Sequence, residues 1–215
     1  MSSNIAFQGE LGAYGHQACA DARPNFSPLP CETFDDAIES VRKGDADLGM
    51  IAVENSTYGR VADVHSLLPE SGLHIVDEVF VRVHVNLLVK PGAQLAAIKT
   101  AYGHPVILPQ CAGFLRENLI TGRATSDNAR AAREVSEGDD LTVGALASEL
   151  AADIYGLDII ARHIEDADNN TTRFLVMARE PDYKKRGNHG MMTSLVFRVR
   201  NIPAALYKAM GGFAT

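Results

Sequence analysis

The run Leu73–Lys90 constrains this chain more than any other segment. It is rich in valine and alternates around Arg82, His84 and Asn86, the pattern of strand backbone with unlike faces. A typical strand has about 5–6 residues, so the run is too long for one sheet. The chain is expected to leave one sheet along it and enter a second. Strands and helices alternate on either side. Asn4–Gln8 reads as a strand, and Tyr14–Ala22 as a helix stopped by Pro24. Phe34, Ala37, Ile38 and Val41 share one helical face, with Thr33 as cap, Asp36 as its capping-box partner and Gly44 past the end. Ala46–Val53 is apolar almost throughout, as a parallel strand buried on both faces would be.

Further strands are expected at Ile98–His104, Arg123–Ser126, Leu141–Leu146, Leu157–Arg162 and Phe174–Arg179. Helices are expected at Cys111–Leu119, with Pro109 at the start, at Asn128–Ser136, and at Ser148–Tyr155 before Gly156. The fold class is α/β, a mostly parallel sheet with helices on both faces. Glu180–Gly190 then reads as a polar linker, Thr193–Arg200 as a half-exposed strand, and Pro203–Met210 as a helix.

Composition excludes several classes. The 215 residues carry a net charge of −7, and no basic run exceeds Lys184-Lys185-Arg186. Nucleic acid and anionic membrane surfaces are therefore not expected partners. No apolar stretch approaches the ~20 residues that cross a bilayer. Met1-Ser2-Ser3-Asn4 lacks the basic start and apolar run of a signal peptide, so a cytoplasmic protein is expected. Cys19, Cys31 and Cys111 are an odd set without CxxC spacing, which suits reduced thiols. The histidines show no metal-ligand spacing, and Gly9-Glu10-Leu11-Gly12 lacks the dinucleotide fingerprint. No metal or cofactor is expected.

Three polar segments sit where strands hand over to loops or helices, the place where open α/β sheets bind ligands. Glu54-Asn55-Ser56 offers a carboxylate, an amide and a hydroxyl; it could equally be a plain polar turn. Pro109-Gln110-Cys111 opens a helix, whose free N–H groups favour an anion or ordinary capping. Asn169–Phe174 runs five polar residues into an apolar strand. Within it Arg173 can hold a carboxylate bidentately, or make a surface salt bridge.

Together these segments resemble the prephenate dehydratase family. The resemblance lies in Asn170-Thr171-Thr172-Arg173-Phe174, and in Glu54-Asn55-Ser56 with Gly59 and Val61. It extends to His104-Pro105, Gln110-Cys111, Phe114-Leu115 and Ala152–Leu157, four motifs in order over much of the chain. Two departures stand out: Gly15 lacks the hydroxyl often found at the end of the family's first turn, and Asp127-Asn128-Ala129 replaces a Ser-Thr-Ala.

The resemblance implies a two-lobed unit like the type II periplasmic binding proteins, over residues 1–180. Lobe one would be about 1–77 and 173–180, and lobe two about 78–172. Residues 181–192 would link it to an incomplete ACT (α+β) domain at 193–215, resembled by Thr193–Phe197 and Asn201-Ile202-Pro203. It also implies decarboxylative dehydration of prephenate to phenylpyruvate without a metal or organic cofactor. Thr172 and Glu54 would be catalytic, and Asn55, Ser56, Gln110, Asn170, Arg173 and Phe174 would bind substrate. A homodimer or homotetramer would follow, with no phenylalanine inhibition of the 215-residue chain. Arogenate dehydratase, or a non-catalytic binder of a small anion, are the alternatives.

Overall fold

Two mixed sheets divide the long β run between them. The computed structural model describes residues 3–183 and 197–214, which fall into two units, Met1–Asp182 and Tyr183–Thr215. The first unit begins β1 (Asn4–Gln8), α1 (Tyr14–Ala22), β2 (Ser27–Cys31), α2 (Phe34–Lys43), β3 (Leu48–Asn55), β4 (Gly59–Arg60) and α3 (Ala62–Leu67). It continues through β5 (His74–Arg82), β6 (Asn86–Val89), β7 (Thr100–Gly103), α4 (Ala112–Glu117), β8 (Thr121–Ala124) and α5 (Asn128–Glu137). It ends with β9 (Val143–Ala147), α6 (Glu149–Tyr155), β10 (Asp158–Ala161) and β11 (Thr171–Ala178).

The first sheet has the order β2-β1-β3-β11-β5 with β4 paired to β3, and the second has the order β10-β6-β9-β7-β8. The break in Leu73–Lys90 falls between β5 and β6, at Val83–Val85. The return passage lies between β10 and β11, and the two passages are bonded side by side. Val83 N donates to Asn170 O and Ile164 N to Val85 O, both at 2.9 Å. The Glu165 carboxylate accepts from Val85 N and meets His84 Nδ1, each at 2.9 Å.

Each sheet is covered on two faces because its strands alternate apolar residues inward on both sides. On the first, Ile5, Phe7, Met50, Phe174 and Val176 pack with Ala18 and Cys19 of α1. Ala6, Ile51, Val53, Leu175 and Met177 pack with Ala37, Ile38 and Val41 of α2 on the reverse. In the second, Leu88, Ala145 and Ala147 pack against Ala131, Ala132 and Val135 of α5 and Ala151 and Ala152 of α6. The expected capping box of α2 is present: the Thr33 hydroxyl accepts from Asp36 N at 3.0 Å and Gly44 takes φ 89°.

Several expectations need correction. Neither sheet is mostly parallel. β11 comes back from the second sheet, so it runs antiparallel to both β3 and β5. β2 was not foreseen because Pro28 and Pro30 remove ladder donors, yet at a sheet edge a proline faces outward and is tolerated. α3 and the two-residue β4 were also missed. Pro109 starts a 3₁₀ turn, Leu108–Cys111, rather than the α-helix itself. In the second unit, α7 (Ala205–Ala214) starts two residues after Pro203 and continues past Met210. Residues 197–200 are irregular. The rest of the expected strand at Thr193–Arg200, and most of the linker, lie outside the described residues. No helix among the described residues is long and apolar enough to cross a membrane.

Candidate active site

A cavity of about 750 Å³ opens at the carboxyl ends of β1, β3, β7 and β8. Ala13, Tyr14, Asn55, Thr172 and Phe174 reach it from the first sheet, and His104, Gln110, Asp127 and Asn128 from the second. Thr172 and Phe174 sit two apart on β11, so strand alternation turns both toward the cavity.

Thr172 is held by a chain of amides. Asn55 lies opposite it in the β3–β11 ladder, and Asn55 Nδ2 donates to Thr172 Oγ1 at 2.9 Å. The other Nδ2 hydrogen goes to Asn170 Oδ1 at 2.7 Å. Asn170 Nδ2 donates to Gln110 Oε1 at 2.5 Å, and Gln110 Nε2 donates to Val106 O at 2.8 Å. Asn55 Oδ1 accepts from Thr57 N, Thr57 Oγ1 and Tyr58 N. Every amide is thus oriented at both ends, which fixes the network as one unit. Asn170, 1% exposed, lies under the cavity rather than in its wall.

The opposite wall carries ionisable groups. Asp127 caps α5, accepting from Ala129 N at 2.7 Å and Arg130 N at 3.0 Å. Burial raises its carboxyl above the ordinary range, and those two N–H groups pull it back only in part. Burial also lowers the His104 imidazole, against a smaller upward pull from Asp127. Its Nδ1 accepts from Val106 N at 3.2 Å, which assigns the proton of the neutral ring to Nε2. On the Thr172 side, Tyr14 is pushed up by burial, and its hydroxyl donates to His84 O at 2.9 Å. The folded chain therefore holds the Asp127 proton more tightly than the unfolded one does, where the carboxyl titrates near 3.8. Its stabilising effect is complete below that value and fades as pH rises through the raised one. Asp127→Asn keeps a capping oxygen without the charge, so its melting temperature should fall less steeply over that window than the parent's. A steeper fall would contradict the assignment.

Among the expected site residues, Asn55, Gln110, Thr172 and Phe174 share the cavity, and Asn170 supports them. Gln110 does so through its side-chain amide in the 3₁₀ turn, not through a helix N-terminus. Ser56 is absent from the wall; its hydroxyl donates to Asn169 O and accepts from Thr171 N, tying the return passage to β3. Arg173 and Glu54 require a correction. Alternation puts Arg173 on the face of β11 opposite Thr172. There Arg173 Nε and Nη2 meet Glu78 Oε2 at 2.8 Å, and Nη1 meets Glu54 Oε1 at 3.4 Å. The salt-bridge reading of Arg173 holds, and neither residue lines the cavity. Tyr14, His104, Asp127 and Arg60 line it without having been assigned there. Position at the carboxyl end of a parallel strand was the signal that could have found His104 and Asp127.

Comparison with known proteins gives the family. A bifunctional N-acyl-homoserine lactone acylase/prephenate dehydratase of Komagataeibacter europaeus is 48% identical over 98% of this chain and 75% of its own length. An arogenate dehydratase/prephenate dehydratase of Arabidopsis thaliana is 41% identical over 98% of this chain and 53% of its own. The chain thus spans only about half the length of that plant relative. The solved prephenate dehydratase of Arthrobacter aurescens, in complex with L-Phe, superposes with a TM-score of 0.84 at 25% identity. It covers 98% of this chain and 72% of that one. The family model for prephenate dehydratase matches residues 5–182, all of both sheets but Asn4, and the cavity. This chain belongs to the prephenate dehydratase family.

Proposed function

We propose that the protein is a carbon–oxygen lyase that converts prephenate to phenylpyruvate, carbon dioxide and water. The observation that carries this reading is the bond from Asn55 Nδ2 to Thr172 Oγ1, at 2.9 Å. With that oxygen already accepting, the Thr172 O–H is left to donate into the cavity. The reaction breaks the ring C–O bond and the bond from the ring to its carboxylate. The electron pair of the second fills the ring as it becomes aromatic, and hydroxide departs. A donor fixed in advance at the departing oxygen stabilises the charge that builds there. An accepted bond from Asn55 also polarises the hydroxyl and makes it a stronger donor. Phe174, 3% exposed, supplies an apolar wall that favours loss of a carboxylate as neutral carbon dioxide. Gln110 and Asn170 position the Asn55 amide. The names of the dehydratase relatives support the same substrate class.

Purified protein given prephenate and arogenate in parallel tests the reading through phenylpyruvate and phenylalanine formation. Turnover of prephenate with the higher kcat/KM is expected; turnover of neither would return the protein to the small-anion binder. The bifunctional relative makes N-acyl-homoserine lactone a third substrate to offer, with release of homoserine lactone as the separate readout.

A further inference from the structure

We infer that Asn128 and His104 hold the 2-oxo acid end of the substrate and so favour a keto side chain over an amino one, an assignment that rests on the dehydratase reading above. Both residues line the cavity from the second sheet. His104 directly follows β7, and Asn128 is the first residue of α5. His104 N donates to Asn128 Oδ1 at 2.8 Å, which holds the two residues side by side. A backbone N–H can only donate, so the accepting atom of Asn128 has to be its oxygen. That fixes the orientation of the amide and leaves both Nδ2 hydrogens without a partner among the described residues. Asn128 is nevertheless only 9% exposed. A buried donor left unbonded is costly, and in a cavity wall a bound ligand is what can satisfy it.

His104 contributes a second donor. Its Nδ1 accepts from Val106 N at 3.2 Å, so the neutral ring carries its hydrogen on Nε2. That atom too has no partner among the described residues. The same segment is tied to Thr172 by bonds of known length. Val106 O accepts from Gln110 Nε2, and the amides of Gln110, Asn170 and Asn55 lead in turn to Thr172 Oγ1. The donor pair and the hydroxyl at the departing oxygen therefore belong to one bonded unit on either side of the cavity.

The chemistry selects the group they hold. The side chain of prephenate ends in a keto oxygen and a carboxylate, all of them acceptors. Arogenate carries an ammonium in place of the keto group, and an ammonium can only donate. Two N–H donors match the 2-oxo acid and oppose the amino acid. The adjacent Asp127 spends Oδ1 on Ala129 N and Arg130 N. Burial favours its protonated form, which softens repulsion of the substrate's carboxylate.

The test is Asn128→Asp, assayed on prephenate and arogenate with its melting temperature. The substitution keeps an oxygen for His104 N and exchanges the NH2 group for an acceptor, and an acid suits the first turn of a helix. The prephenate-to-arogenate ratio of kcat/KM should fall by about 10-fold or more, the cost of removing a buried donor from its acceptor. KM on prephenate should rise more than kcat falls, the pattern of an interaction made equally in ground and transition states. His104→Phe keeps the ring without its N–H and should also raise KM on prephenate. An unchanged ratio in Asn128→Asp would overturn the proposal. So would equal losses on both substrates together with a lower melting temperature, which marks a structural role. If the parent turns over neither substrate, the dehydratase reading fails on its own, and phenylpyruvate binding by calorimetry decides this one. Binding weakened in Asn128→Asp would support the 2-oxo acid site, and equal affinity would overturn it.

Discussion

Thr172→Ala is expected to lower kcat on prephenate by about 10²-fold or more, the usual cost of removing one fixed donor from a developing oxyanion. Thr172→Ser should keep most of the activity, because the serine oxygen can accept from Asn55 Nδ2 and still donate. KM should change far less than kcat in both, since the donor acts where charge develops. The alanine variant should fold normally, because Thr172 is half-buried and leaves Asn55 Nδ2 open to a cavity that admits water. Equal kcat in Thr172→Ala and the parent would remove Thr172 from the mechanism. Asn170 offers a parallel check through the same network, with a smaller expected loss because it acts only by orienting Asn55.

Gly12→Ala is expected to cost about 2–4 kcal/mol of stability, read from the midpoint of urea unfolding. Two independent penalties combine. Gly12 has φ +93°, outside the range that suits an L side chain, and an added Cβ would lie 2.9 Å from the Ala151 backbone. Strain of the first kind costs about 1–3 kcal/mol and overpacking a similar amount. No flexible side chain can yield there, because the near atom is the Cα of α6. The contact also matters to the site. Ser148, the cap of α6, donates its hydroxyl to Gly12 O at 2.6 Å, and this turn leads into Ala13 and Tyr14 in the cavity wall. A midpoint unchanged in Gly12→Ala would show that the turn is not packed against α6 as described.

Much of this was legible in the sequence, for identifiable reasons. The α2 cap could be read because Thr33, Asp36 and Gly44 each have one local job. The division of Leu73–Lys90 could be read because its length exceeded what one sheet accommodates. The β2 strand could not, because its edge position, which excuses Pro28 and Pro30, is a tertiary fact. Asn55, Thr172 and Gln110, picked out by motif and order, line the cavity. Arg173 was misplaced, although the signal was present: in Thr172-Arg173-Phe174 the flanking residues share a face, so the arginine cannot. Asn170 also differs from its expected role, since its burial beneath the cavity follows from the bond between the two passages. Arg60 escaped notice because a two-residue strand carries no periodicity.

The central claim is that the reaction takes place on the Thr172 face of β11, between the two sheets. A crystal structure of the protein with phenylpyruvate bound tests it most directly. The product is expected in the cavity, its ring against Phe174 and its ring edge within hydrogen-bond distance of Thr172 Oγ1. Product bound instead on the opposite face, beside Arg173 and Glu78, would contradict the account.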